Sequence, residues 1–358
     1  MKILIVSKKE DSNPFVKTLS EGLLSLNIDV VCSVAEFWST ESKFDIIHFM
    51  WPEAIFNWKN SISSSQVEKF RNRLLYYKGC GCKIIITIHN LKPHLIKDNN
   101  VLMLFDIIYG ECDAFIHLGC YSKQLLEAKY PFAGHYIVPH HIYDSIYDFS
   151  IAKSDARRLL NISNEQDVIL AFGQFRSDDE RNLVFVIKSK LGSQLQLLVP
   201  GFYRDKILTR RIWRIPKILY KTLYYKFNRI KFSKKYVDVK DTSLLFSAAD
   251  IVFIQRKQIL NSGNLPMGFA AGKVVVGPQV GNVGEILKST GNPTFNPDNE
   301  QSVVEAVKKG LALVKQGLGE RNKNFALSQW STHKVSLLLI DKYVTTQHPY
   351  RKLLVNKA

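Results

Sequence analysis

Long apolar runs and usefully spaced cysteines are what this sequence lacks. Nowhere among its 358 residues is there an uncharged apolar stretch of the roughly 18 residues a spanning helix needs, so no membrane crossing is expected. The cysteines, Cys32, Cys80, Cys82, Cys112 and Cys120, form an odd set without paired ligand spacing, and Cys80-Gly81-Cys82 is one residue short of Cys-x-x-Cys. That argues against a disulfide framework or a zinc site, predicts no bound metal and fits a reducing compartment. The start, MKILIVSKKEDSNPF, carries an apolar run too short for a signal peptide, which predicts a cytoplasmic chain. There is no G-x-G-x-x-G and no Walker-A loop, which argues against nicotinamide dehydrogenases and P-loop NTPases. Acids are scarce: 32 Asp and Glu stand against 49 Lys and Arg, a net charge of +17.

What is present is ordinary globular composition, 46% hydrophobic and 23% charged, which excludes a disordered chain and a collagen-like repeat. The length suits two domains. Strand-like runs at residues 2–7, 29–33, 44–49, 83–88, 114–118 and 136–138 alternate with helical patterns at 15–26, 66–78 and 122–129. A second series has strands at 168–172, 196–199, 236–239, 250–254 and 274–277, with helical patterns at 182–191, 243–248, 265–271 and 302–316. Several strands are apolar without alternation, as parallel strands covered on both faces are. The reading is α/β, with Rossmann-like domains at 1–145 and 146–331 and a helical segment at about 332–358. Ligands of such open sheets sit beyond the carboxyl ends of the strands.

The charge is concentrated. Residues 204–235, from Arg204 to Lys235, hold twelve Lys or Arg and one acid, Asp205. Leu219, Leu223, Phe227 and Ile230 fall on one helical stripe within that run, the pattern of an interfacial helix on anionic lipid. The same pattern also describes a solvated basic face over a core stripe. Nucleic acid is not expected as a partner, since no binding motif accompanies the charge.

Three clusters are candidates for chemistry. The turn Asn261-Ser262-Gly263-Asn264-Leu265-Pro266 opens a helix and exposes backbone N–H groups suited to a diphosphate, or is an ordinary capped turn. Phe172-Gly173-Gln174-Phe175-Arg176 ends a strand and aims an arginine past it, either at a phosphate or at a neighbouring Asp178 or Asp179. Polar residues also close strands in the first half: His48 before Trp51-Pro52-Glu53, then His89-Asn90, then His117. His or Glu there can serve as general base or bind hydroxyls; a strand-end histidine can equally be structural.

Taken in order, these segments resemble a GT-B glycosyltransferase, near the family-4-like bacterial enzymes that build surface polysaccharides such as exopolysaccharide, capsule and lipopolysaccharide. Asp45-Ile46-Ile47-His48-Phe49-Met50-Trp51-Pro52-Glu53 is similar to the "D-(I/V)-(I/V)-H-x-H-W-P-E" run of one subgroup. Asn13-Pro14-Phe15, Thr87-Ile88-His89-Asn90-Leu91 and Val138-Pro139-His140 match that subgroup in order. Phe172-Gly173-Gln174-Phe175-Arg176 resembles its "F-G-x-I-R" strand end. Asn261-Ser262-Gly263 through Gly272-Lys273 to Gly284-Glu285 resembles the "S-G…G-K-P-V…E" donor loop. The resemblance spans about residues 1–340.

It implies two domains facing a cleft, with the C-terminal helix crossing back to the first. It implies a nucleotide diphosphate sugar, UDP- or GDP-linked, held mainly by the second domain, with no bound cofactor and no metal requirement. Gly173, Arg176 and the Ser262-Gly263-Asn264 turn would hold the diphosphate, and Glu285 would sit near the ribose or base. Asn13, Trp51 and Asn90 would line the acceptor side, with His89, His117 or Glu53 as base. The acceptor would be a saccharide or lipid-linked, with the basic segment on the inner face of the plasma membrane. Where relatives carry two glutamates across the donor loop, the second position falls on Met267 and the first on Ile259 or a neighbour. The usual lysine after the strand end falls near Asp179, unless a short insertion makes Arg181 its substitute. Two rivals keep the architecture: a nucleotide-sugar epimerase and a membrane-associated scaffold that has lost the chemistry.

Overall fold

The computed structural model describes residues 1–8, 14–39, 43–93, 98–192, 195–200, 230–231 and 237–347. Asn13 and nearly all of residues 204–235 lie outside them. The chain divides into two units, residues 1–143 with 330–358, and residues 144–329.

In the first unit the apolar runs become strands because both of their faces are covered. Strand β1 (Lys2–Val6) is followed by helix α1 (Phe15–Leu24), β2 (Asp29–Cys32), α2 (Val34–Trp38), β3 (Ile46–Phe49), a 3-10 turn (Pro52–Phe56), α3 (Ser64–Gly79), β4 (Lys83–Ile88), α4 (Asn99–Glu111), β5 (Ala114–His117), α5 (Cys120–Glu127) and β6 (Gly134–Ile137). The order across this parallel sheet is β2-β1-β3-β4-β5-β6. The chain therefore reverses its winding direction between β1 and β3, the kind of point where open α/β sheets form ligand crevices. Helix starts are fixed locally: Ser63 and Gln66 form a capping box on α3, and Asp98 caps α4.

The second unit runs α6 (Lys153–Leu159), β7 (Asp167–Leu170), α7 (Asp178–Leu191), β8 (Leu195–Leu198), β9 (Ile230–Lys231), α8 (Val239–Ala248), β10 (Ile251–Phe253), α9 (Asn264–Ala270), β11 (Val274–Pro278), α10 (Gly281–Ser289), β12 (Thr294–Phe295), α11 (Glu300–Lys315) and α12 (Leu318–Gln329). Its parallel sheet has the order β12-β11-β10-β7-β8-β9, so the reversal falls between β7 and β10. At the opposite ends of those two strands Asp250 is buried under Arg157, whose Nη2 lies 2.6 Å from the carboxylate. The same aspartate accepts the Val168 N–H at 2.8 Å, which joins β7 to β10.

Helix α13 (Thr332–Gln347) belongs to the first unit and packs on α1. Gly22 makes this crossing close: a Cβ there would stand 2.4 Å from Ser336 Oγ and 2.7 Å from Thr332 Cγ2. Tyr343 of α13 is buried and its hydroxyl meets His48 Nδ1 at 2.6 Å.

Two sequence expectations are corrected here. Of the strand expected at 236–239, the described residues 237–239 form none: Asp238 caps a helix that begins at Val239, and Tyr236 lies outside the described residues. Ile230 does not continue a helical stripe, because its backbone pairs with Leu197 in β9. The rest of that stripe lies outside the described residues.

Candidate functional site

The reversal point of the second sheet gathers three strand-end loops. Past β7 the chain turns at Gly173, whose φ of +95° is a conformation that glycine accepts at little cost. The Phe172 carbonyl receives two amide side chains from the neighbouring loop, Gln255 Nε2 at 3.3 Å and Asn264 Nδ2 at 2.9 Å. Asn282 Nδ2, at the start of α10, donates to Asn261 Oδ1 at 2.8 Å. The loops after β7, β10 and β11 are thus knitted by amide side chains at one sheet edge. Gly173, Arg176, Ser262, Gly263 and Asn264 come together there. Glu285 is half-buried one turn into α10.

Arg176 is exposed, while its own backbone N–H donates to Glu180 Oε2 at 2.6 Å. Asp178, one of the two aspartates that the sequence offered Arg176 as a partner, pairs instead with Arg181, 3.0 Å away. Ser262 Oγ accepts the Asn264 N–H at 3.3 Å, so the turn is braced by its own serine. The sequence reading missed Arg256, three residues beyond β10. Its guanidinium pairs with Glu180 and donates to the Gln174 carbonyl at 2.7 Å. An arginine just past a short apolar strand was the available signal, the same one that singled out Arg176.

In the first unit, Trp51 and His89 extend from the adjacent strands β3 and β4 and stack at 4.3 Å. Phe15 stands edge-on to His89 at 4.6 Å and stacks on His141 at 4.6 Å. Burial first, then neighbouring His140, His48 and His141, hold His89 well below the usual imidazole range. It is therefore neutral at pH 7, the form in which imidazole accepts a proton. Glu53 is 5% exposed, and its Oε2 makes no hydrogen bond among the described residues. Burial pushes this carboxyl upward. Tyr109 donates weakly to the carbonyls of Asn90 and Leu91, at 3.3 and 3.4 Å. Asn90, directly after His89, is half-buried.

The other strand-end histidines are core members. His48 has both ring nitrogens engaged, by Tyr343 and by Thr87 Oγ1 at 2.8 Å, and burial lowers its pKa to about 3. His117 is fully buried. His135 Nε2 donates to the Tyr130 carbonyl at 3.0 Å. His117 Nε2 meets His135 Nδ1 at 3.0 Å, and His117 Nδ1 meets the Ser122 hydroxyl at 3.1 Å. His117 has no ring nitrogen left for a substrate.

Beside the 3-10 turn an open pocket of about 610 Å³ is lined by Lys8, Cys32, Ser33, Trp38, Ile55 and Asn57, among others. It lies at the carboxyl ends of β1 and β2. The described residues contain no group of three His, Cys, Asp or Glu arranged to hold a metal ion. No described helix is long and apolar enough to cross a membrane.

No protein-family model matches the sequence, and no curated protein does. The fold, however, is shared with solved structures over nearly the whole chain. Sucrose-phosphate synthase from Thermosynechococcus elongatus superposes with a TM-score of 0.71 at 15% identity, with 100% of each chain covered. HepE of Anabaena in complex with UDP gives 0.69 at 13% identity, covering 96% of this chain and 100% of that one. The E. coli trehalose-6-phosphate structure bound with UDP-2-fluoro glucose gives 0.63 at 10% identity, covering 95% and 98%. The fold expected from the sequence is confirmed: two parallel α/β units of the GT-B class.

Proposed function

We propose that this chain is a glycosyltransferase that moves a sugar from a nucleotide diphosphate donor to a saccharide or lipid-linked acceptor. One observation carries the reading. The loops after β7, β10 and β11 are locked together at the reversal point of the second sheet, with the exposed Arg176 and the Ser262-Gly263-Asn264 turn among them. That is the sheet edge where open α/β domains bind nucleotides. Solved proteins of the same fold hold UDP or a UDP-sugar, which favours a UDP-linked donor here.

In this reading Arg176 pairs with the diphosphate, and the N–H groups of Ser262 and Gly263, on a turn braced by the Asn264 N–H to Ser262 Oγ bond, solvate it further. Their charge and dipoles stabilise the leaving diphosphate as the bond from the sugar's anomeric carbon to the diphosphate oxygen breaks and the bond to the acceptor oxygen forms, which supplies the role a metal plays in other transferases. Glu285 faces the ribose or base. On the acceptor side Trp51 offers a ring for a sugar face, and Asn90 offers an amide for its hydroxyls. Glu53 and His89 are the candidate bases: one is a carboxyl raised by burial, the other a neutral imidazole. Either would take the proton of the attacking hydroxyl in an inverting reaction. The motif order in the sequence favours a role in surface-polysaccharide assembly, and residues 204–235 supply the charge to bring the enzyme to an anionic membrane.

The test is thermal unfolding with UDP, GDP, ADP, CMP and dTDP, followed by transfer assays with the sugar form of the nucleotide that binds. A ligand at 100 times its Kd adds about 2.7 kcal/mol of stability. Arg176→Ala should lower kcat/KM at least tenfold, about 1.4 kcal/mol of barrier. Unchanged kcat/KM would remove Arg176 from the site, and no shift with any nucleotide would remove the donor site itself.

A further inference from the structure

We infer that Arg256, held by Glu180, is the positioning residue that fixes the Arg176-bearing loop for the donor diphosphate; this deepens the donor-site reading and rests on it. The guanidinium of Arg256 reaches from the end of β10 across the reversal point to the loop after β7. It pairs with the Glu180 carboxylate and donates to the Gln174 carbonyl at 2.7 Å. The same carboxylate oxygen, Oε2, takes the Arg176 N–H at 2.6 Å. Residues 174 and 176 are thereby tied, one through its carbonyl and one through its N–H, to a single ion pair. Between them Phe175 is buried in the core, and before them Gly173 makes the turn. The Arg176 side chain therefore leaves a backbone that is held at several points.

Charge supports the same assignment. The first turn of α7 carries Asp178, Asp179 and Glu180, three carboxylates beside a proposed anion site. Arg181 neutralises Asp178, and Arg256 neutralises Glu180. Side-chain exposure is 13% for Arg256 and 8% for Glu180. An ion pair this desolvated adds little net stability over apolar residues of similar volume. What it does add is geometry: the flat guanidinium fork bridges a carboxylate and a carbonyl at once, which a lysine ammonium does less well.

The experiment compares wild type with Arg256→Ala, Arg256→Lys and Glu180→Gln. UDP affinity is read by calorimetry, thermal midpoints are recorded, and amide exchange of the unliganded proteins is followed at residues 174–176. Arg256→Ala should weaken UDP at least tenfold and raise KM for the UDP-sugar more than it lowers kcat. It should also speed exchange of the Arg176 amide at least tenfold while leaving the Val252 amide unchanged. Arg256→Lys should recover part of the affinity. A purely structural role would instead lower the midpoint and loosen β10 with it, leaving the affinity of the folded fraction intact. That result, or an Arg176 amide that exchanges as in wild type, overturns the inference. Should Arg256→Ala fail to fold, Glu180→Gln and Arg256→Lys carry the same comparison. Wild type that binds no nucleotide overturns the donor-site reading together with this inference; wild type that binds, beside variants that bind equally, overturns the inference alone.

Discussion

Buried polar side chains in this protein divide into those that close their own hydrogen bonds and those that leave chemistry available. Arg157 closes its own: Nε donates to the Ala248 carbonyl at 3.0 Å, Nη1 to the Asn164 carbonyl at 2.9 Å, and Nη2 to Asp250. Arg157→Ala should cost about 3–5 kcal/mol, because Asp250 would keep a buried charge without its main partner; urea unfolding checks this, and a loss below about 1 kcal/mol would contradict it. Glu53 is the opposite case, a buried carboxyl whose Oε2 has no hydrogen bond among the described residues. None of this is visible in composition. His48, His89 and His117 look alike in sequence, each closing an apolar run, yet Tyr343 and Thr87 claim the first and His135 and Ser122 the last. Those partners lie up to 295 residues away. Local pattern names the strand ends and cannot name what meets them.

Among the secondary-structure elements, the strands were the most legible, since a run such as Lys83–Ile88 is apolar on both faces and has only one comfortable place to go. Helix α4 was missed because its core, VLMLFDII, reads equally as a buried strand; the Asp98 cap is what makes it a helix. The short β9 was missed because Arg229 and Phe232, on either side of it in sequence, give no strand period. The contact of α1 with α13 depends on Gly22, a position that a sequence pattern treats as a weak spot in a helix. Gly22→Ala gains up to about 1 kcal/mol of helix propensity. The added Cβ meets Ser336 and Thr332, and overpacking costs about 1–3 kcal/mol. A net loss of roughly 1 kcal/mol is expected in chemical denaturation, and a net gain would show that the two helices part easily.

The first unit concentrates histidines that are neutral when folded. Burial lowers His48 and His117 to about 3 and His140 to about 4. His89 and His141 are held well below the usual range. The free imidazole in an unfolded chain titrates near 6.5. Below that pH the unfolded state gains protons that the folded state refuses, so stability present above pH 6.5 is lost as pH falls toward 3–4. Each histidine contributes about 1 kcal/mol of loss between pH 6.5 and 5.5. Thermal midpoints should therefore fall steeply over that interval, with the first unit opening before the second. A midpoint independent of pH from 7.5 to 5.5 would contradict the neutral cluster. The division into α/β halves was legible from strand runs, and the edge proposed for the donor from glycine turns. The loop-to-loop amide bonds and the Arg256–Glu180 pair required the fold.

Amide exchange of the full chain with and without UDP would locate the nucleotide without relying on turnover. Binding should slow exchange at residues 173–176 and 261–264 at the β7–β10 reversal and leave β3, with His48, unaffected. Protection confined to the first unit, or none at saturating UDP and GDP alike, would contradict a donor site in the second.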